Sequence, residues 1–129
     1  MSVTVSELLA DCLAKPGAWQ DDPWGGDIVA KVGDKVFAFC GSPETGRSIG
    51  LKCGANRDEA DEWPARFPDD VKPLSHIGRF GWNALTVGGA IPDEDLFEAV
   101  DVSYLIIAAK LPKRLRPAPE EATRRISLP

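Results

Sequence analysis

The residues best equipped for covalent or acid–base chemistry in this chain are one histidine, His76, and three cysteines, Cys12, Cys40 and Cys53. A nucleophilic triad or a zinc site needs a histidine with partners. His76 has only Ser75 beside it, and adjacent residues on an extended chain point to opposite faces. A Cys–His pair would require Cys40 or Cys53 to lie near His76 in space. Both cysteines stand in apolar, strand-like contexts that raise a thiol pKa and make it inert. With no CxxC spacing and an odd count, the three read as free thiols of a reducing compartment. The densest acidic group is Asp58, Glu59, Asp61 and Glu62, and on a helix Asp58 shares a face with Asp61 and Glu62. Lacking a histidine partner, acids in a first turn serve the helix dipole. Residues 41–46 lack the GK[ST] ending of a phosphate loop and join two strands. The chain is therefore expected to be no enzyme, and to carry no metal and no cofactor.

Binding chemistry is the better prospect, and its position depends on strand register. Gly33-Asp34 suits a two-residue hairpin turn, because glycine supplies the positive φ. That turn sets Val32 opposite Lys35, Lys31 opposite Val36, Ala30 opposite Phe37 and Ile28 opposite Phe39. The apolar set Phe37, Phe39, Ile49, Leu51 and Cys53 then shares one face, the core side. On the other face Lys31, Val36 and Lys52 form one row, with Trp82, Ala84 and Thr86 alongside. Two lysines, a tryptophan and small residues make a shallow platform, and His76 and Arg79 can rim it. The candidate ligand or nucleic-acid site is thus Lys31, Lys52, Trp82, Arg79 and His76.

The elements that must position this platform follow from local signals. Thr4 and Glu7 form a capping box, Val3 and Leu8 a hydrophobic staple, and Val5, Leu8, Leu9, Cys12 and Leu13 one apolar stripe. Pro16-Gly17 ends this first helix. Trp19 and Trp24 fall in a loop as lids over the core edge. Residues 27–53 read as a three-stranded antiparallel meander. A second helix starts at Asn56 or Arg57, with Pro64 cutting or shaping its end. Two short strands lie within 71–87. The region 93–111 is one long helix, or two if Asp101 caps a second segment. The expected order is α-β-β-β-α-β-β-α, an α+β domain with helices on one face of an antiparallel sheet. It occupies residues 1–111, followed by a Pro-rich basic tail at 112–129, expected to be loosely ordered.

A series of short motifs adds to this reading: Pro23-Trp24-Gly25, Lys35-Val36-Phe37-Ala38-Phe39, Leu51-Lys52-Cys53, His76-Ile77-Gly78-Arg79, Gly81-Trp82-Asn83, Ile91-Pro92-Asp93 and Ser103-Tyr104. In this order they resemble the MmcQ/YjbR family of small bacterial proteins over about residues 9–112. The resemblance implies a fold likened to frataxin/CyaY and to type III secretion chaperones, and a predicted DNA-binding role.

Charge weighs on that role. The chain carries a formal −5. From Pro112 onward five basic residues stand against two acidic ones, a net +3 that leaves the preceding body at −8. So acidic a body repels a phosphate backbone unless its cations cluster. Three functions are therefore carried forward: DNA binding, a chaperone-like protein adaptor using the open sheet face, and frataxin-like metal handling. The last ranks lowest, because the first helix offers only Glu7 and Asp11 for an acidic ridge. The longest apolar run, residues 104–109, is too short to span a bilayer. No secretory signal is visible at the N-terminus. The expectation is a cytoplasmic monomer, or at most a small oligomer, whose partner is DNA or another protein.

Overall fold

A computed structural model describes residues 2–116. Helix α1 (Val5–Leu13) opens with the expected capping box: the Thr4 hydroxyl accepts from the Glu7 amide, and the Glu7 carboxylate accepts from the Thr4 amide. Six strands follow: β1 (Ala18–Asp21), β2 (Ile28–Val32), β3 (Lys35–Gly41), β4 (Ser48–Lys52), β5 (Val71–Pro73) and β6 (Trp82–Thr86). Between β4 and β5 lie two short helices, α2 (Arg57–Ala60) and α3 (Glu62–Arg66), and α4 (Asp93–Ala108) comes last. The strands form one antiparallel sheet in the order β1-β2-β3-β4-β6-β5. Helices α1 and α4 pack on each other and on the same face, so the α+β class and the one-sided layering are as expected.

Strand β1 is an addition to the expected element list. Its four residues AWQD hold too little alternating apolar pattern to signal a strand. It forms because Trp19 and Gln20 find register partners in Lys31 and Ala30.

The larger difference is in register. Val32–Lys35 and Lys31–Val36 pair as expected, but the next pair is Ala30–Ala38, so Phe37 is an extra residue on β3. A bulge of this kind leaves two consecutive side chains opposing one partner residue. Phe37 and Ala38 are both fully buried, and the Phe37 ring meets the Tyr104 ring of α4 edge-on at 5.2 Å. Ala38 and Phe39 are therefore displaced by one, and a second shift past Phe39 sets Gly41 opposite Ile28. Phe39, expected in the core beside Phe37, lies on the opposite face and is only partly buried.

Ser103 of α4 secures the bulge. Ala38 pairs with Leu51, so the next pair along β3 and β4 is Phe37 and Lys52. The Ser103 hydroxyl stands between them. It accepts from the Lys52 amide at 2.9 Å and donates to the Phe37 carbonyl at 2.6 Å. The adjacent Tyr104 hydroxyl donates to the Pro16 carbonyl at 2.5 Å, tying α4 to the end of α1. Asp101 caps no second helix. It is buried within the continuous α4 and forms an ion pair with Lys15.

Pro64 sits in the first turn of α3, where its missing N–H is tolerated. The carbonyl it would have bonded, that of Ala60, accepts instead from the Asn83 amide at 3.0 Å. The Asn83 oxygen in turn accepts from Arg57 at 2.6 Å, and Arg57 also donates to the Gly78 carbonyl at 2.9 Å. Gly81 has φ +96, and a Cβ there would lie 2.4 Å from the Gly54 carbonyl oxygen, so only glycine fits. These contacts lock α2 to the segment entering β6.

Beyond Leu111 the chain makes a short 3-10 turn, Lys113–Leu115, and Arg116 donates to the Leu111 carbonyl at 2.9 Å. The expectation for the tail from residue 117 lies outside the described residues.

Ser103→Ala should cost about 1–3 kcal/mol, because it strands a buried amide and a buried carbonyl together. Phe37→Ala should cost about 3–5 kcal/mol and Phe39→Ala clearly less. Urea midpoints at fixed slope check both; equal losses at the two phenylalanines would contradict the bulge.

Candidate functional site

The face opposite the helices is where the sequence places the candidate platform. Cross-strand partners share a face, and the pairings join into one row across all six strands: Asp21, Val29, Phe39, Gly50, Ala84 and Lys72. Beside it, all on one side, run Trp19, Lys31 and Val36 and then the Lys52–Trp82 pair, with Ser48 and Thr86 on the other side. Trp82, Ala84 and Thr86 occupy this face as expected. Helices α1 and α4 pack on the other face, while the connection from β5 to β6, with its 3-10 turn Gly78–Phe80, folds over the Lys52–Trp82 end of this one.

Phe39, turned outward by the bulge, is the centre of an aromatic strip. Trp24 stacks on it at 6.5 Å and Trp82 meets it edge-on at 5.3 Å. Trp24 is 63% exposed, so it covers Phe39 while presenting its own outer face to solvent. The loop that carries it is shaped by Asp22, whose carboxylate accepts from the Gly26 and Asp27 amides at 2.8 and 3.1 Å. Trp19 is not in a loop but on β1, with its indole N–H on the Gly33 carbonyl at 2.8 Å.

The five candidate residues are not equivalent. Lys31 lies on this face and is occupied: it pairs with Asp21 at 2.8 Å and stands over the Trp19 ring at 5.1 Å. The hydrogen bond from Lys31 holds the Asp21 carboxyl below its usual pKa, with the Asp22 amide adding to the effect. Lys52 is buried at 2% exposure, and its ammonium donates to the Phe80 carbonyl. Burial pushes its pKa down, and Lys110 adds to the shift. The expected row Lys31–Val36–Lys52 does not form, because the bulge sets Lys52 against Phe37 instead of Val36. Trp82 is buried beneath Phe39 and its neighbours. Arg79 and His76 are exposed on the connection from β5 to β6, with Arg79 over the Phe80 ring at 4.7 Å. His76 turns that connection with φ +68. Sequence reasoning missed Trp19, Trp24 and Phe80 as contributors. A Trp–Gly–Gly loop among aspartates gives no cue to the ring it will cover.

Elsewhere the thiols are shielded and two of the clustered carboxylates are occupied. All three cysteines are buried and unpaired. Burial pushes Cys40 and Cys53 up to about 12 and Cys12 well above the ordinary value. Among the acidic four, the Glu59 carboxylate accepts from the Ala55 amide and Asp61 from Arg57. Among the described residues no three His, Cys, Asp or Glu side chains gather as a metal would require. No described helix is long and apolar enough to cross a membrane.

A six-stranded antiparallel sheet, helices on one face and aromatics on the other, defines a small α+β domain with one open side. Residues 13–106 match the YjbR family model. The chain is 33% identical over 116 residues to Uncharacterized protein YjbR of Escherichia coli K12, covering 88% of this chain and 95% of that one. The Escherichia coli O157:H7 protein of the same name matches equally. The chain belongs to the YjbR family. Its fold matches the crystal structure of Deinococcus radiodurans protein DR2400, a DUF419 domain, with a TM-score of 0.74 at 23% identity, over 98% of this chain and 89% of that one.

The thiols predict the alkaline behaviour. Cys40 keeps its proton in the fold up to about pH 12, while the unfolded chain releases it near 9. Stability from this group is complete below pH 9 and falls across that window by about 1.4 kcal/mol per pH unit. Lys52, with its pKa lowered, contributes with the opposite sign. Denaturant midpoints between about pH 9 and 10.5 should fall less steeply for Cys40→Ala than for the parent chain. Equal slopes would mean the thiol is solvated.

Proposed function

We propose that this chain is a non-enzymatic binding protein whose open sheet face docks a segment of another protein. One observation carries the reading. Of the four large apolar side chains exposed among the described residues, Trp19 (44%) and Trp24 (63%) lie on that face and Phe80 (50%) stands at its rim. Exposed aromatics gathered on one surface characterise docking sites, where they supply large contact area at low entropic cost. The shielded thiols support a role without catalysis. Three unpaired cysteines support a reducing, cytoplasmic setting.

A second reading, single-stranded nucleic acid, draws support from Lys72, His76 and Arg79, all exposed at the β5 end. Against it, Lys31 is already paired, Lys52 is buried, and the loop around Trp24 carries Asp22 and Asp27. Stacking without free cations along the strip gives a phosphate backbone little to follow.

Peptides selected by display against the chain should shift the amide resonances of Trp19, Trp24 and Phe80. Trp24→Ala should weaken them at least about tenfold, the measure of a central anchor. Oligonucleotide binding, if seen at low salt, should vanish near physiological salt. Peptide shifts confined to the helical face would overturn the docking reading. Retained oligonucleotide affinity that falls on Arg79→Ala would favour the second.

A further inference from the structure

The two exposed tryptophans of the open face differ in what covers them. Over the Trp19 ring stands the Lys31 ammonium at 5.1 Å, and Asp21 pairs with that ammonium at 2.8 Å. Ring, cation and carboxylate are there supplied by the chain itself. Trp24 has the ring and the carboxylates, but no cation among the described residues stands over it. Its inner side lies on Phe39, and 63% of it is exposed. Asp22 and Asp27, at the two ends of its loop, are both exposed, and none of the described ion pairs engages either. By the strand register His76 and Arg79 are carried at the opposite strand ends, so they do not offset these aspartates.

The arrangement is preformed. Asp22-Pro23-Trp24-Gly25 is a turn closed by the Gly25 amide on the Asp22 carbonyl at 3.4 Å, and proline at its second position fixes φ. The Asp22 carboxylate holds the Gly26 and Asp27 amides through one oxygen, Oδ1, which leaves Oδ2 outside the loop's own hydrogen bonds. A Cβ built at Gly25 or Gly26 would meet nothing within 4 Å, so the space beside the ring is open.

We propose that the segment docked by this face is basic, and that one of its arginines lies on the outer side of Trp24 with its guanidinium toward Asp22 and Asp27. The proposal rests on the reading of the face as a protein-docking surface and names the chemistry of the partner. A planar guanidinium suits both parts of the loop: it stacks on an indole and offers carboxylates its N–H groups in pairs. Net charge acts in the same direction. A chain at a formal −5 draws a cationic segment toward it and repels both an acidic segment and a second copy of itself.

Peptides of random sequence displayed against the full chain should emerge enriched in arginine over the starting library. In the tightest of them, made synthetically, each arginine is replaced in turn by citrulline, which keeps the shape and loses the charge. One such replacement should weaken binding at least about tenfold. Asp22→Asn combined with Asp27→Asn keeps the loop's acceptor and removes both charges. It should weaken the arginine peptide at least about tenfold and the citrulline peptide hardly at all, whereas Trp24→Leu should weaken both. Circular dichroism and the melting temperature establish that each variant is folded. Asp27→Asn alone, whose carboxylate the loop does not use, gives the same test should the double variant fail to fold. Selected peptides that are neutral or acidic would overturn the basic partner, as would an arginine peptide indifferent to citrulline or to the aspartate substitutions. If such peptides still depend on Trp24, the docking reading stands without it. Peptides that ignore Trp24 as well would end both.

Discussion

One buried hydroxyl sets the geometry of both sides of this sheet. Ser103 stands where β3 and β4 would otherwise bond directly, taking the Lys52 amide and supplying the Phe37 carbonyl. With the strands held in that arrangement, Phe37 and Ala38 both serve the helical side and Phe39 is turned to the other. Without the extra residue, Phe39 would face α4 and Trp24 would have no ring to lie on. The core and the open face are thus two consequences of a single irregularity. The irregularity persists because α4 satisfies the groups it displaces.

Much of the fold was legible in local chemistry. The capping box at Thr4 and Glu7 and the hairpin at Gly33-Asp34 depend on residues within a few positions of each other, and both appear where the sequence places them, whereas α4 stops at Ala108, short of the expected end at Leu111. The alternation of Trp82 to Thr86 also read correctly, because β6 is a regular strand with one buried face. The bulge was not legible. It depends on Ser103, sixty-six residues from Phe37, and the pattern VFAF permits either register. The same slip broke the supposed lysine row. Lys52 was read as a surface cation because lysine usually is one, whereas the connection from β5 to β6 folds over it and offers a carbonyl to its ammonium.

The motifs that carry the family resemblance are largely architectural. Asn83 and Arg57 join α2 to β6, Gly81 permits their close approach, and Ser103-Tyr104 seats α4 on the sheet and on the end of α1. Lys52 anchors the connection that bears Arg79 and Phe80. Among the quoted motifs, the exposed residues are Pro23, Trp24, Gly25, His76, Arg79 and Pro92. Family membership therefore speaks chiefly for a scaffold.

The two border strands have a further consequence. β5 is three residues long and ends in Pro73, which has no N–H to offer, and β1 has only four residues. Neither margin can template an added strand of useful length, so a ligand gains little from main-chain pairing. Main-chain pairing is tolerant of sequence, whereas contact through side chains is not. On the proposed docking reading, a sheet with margins this short discriminates between partners by side chains alone, and substitutions on the open face would alter that choice without changing the frame beneath.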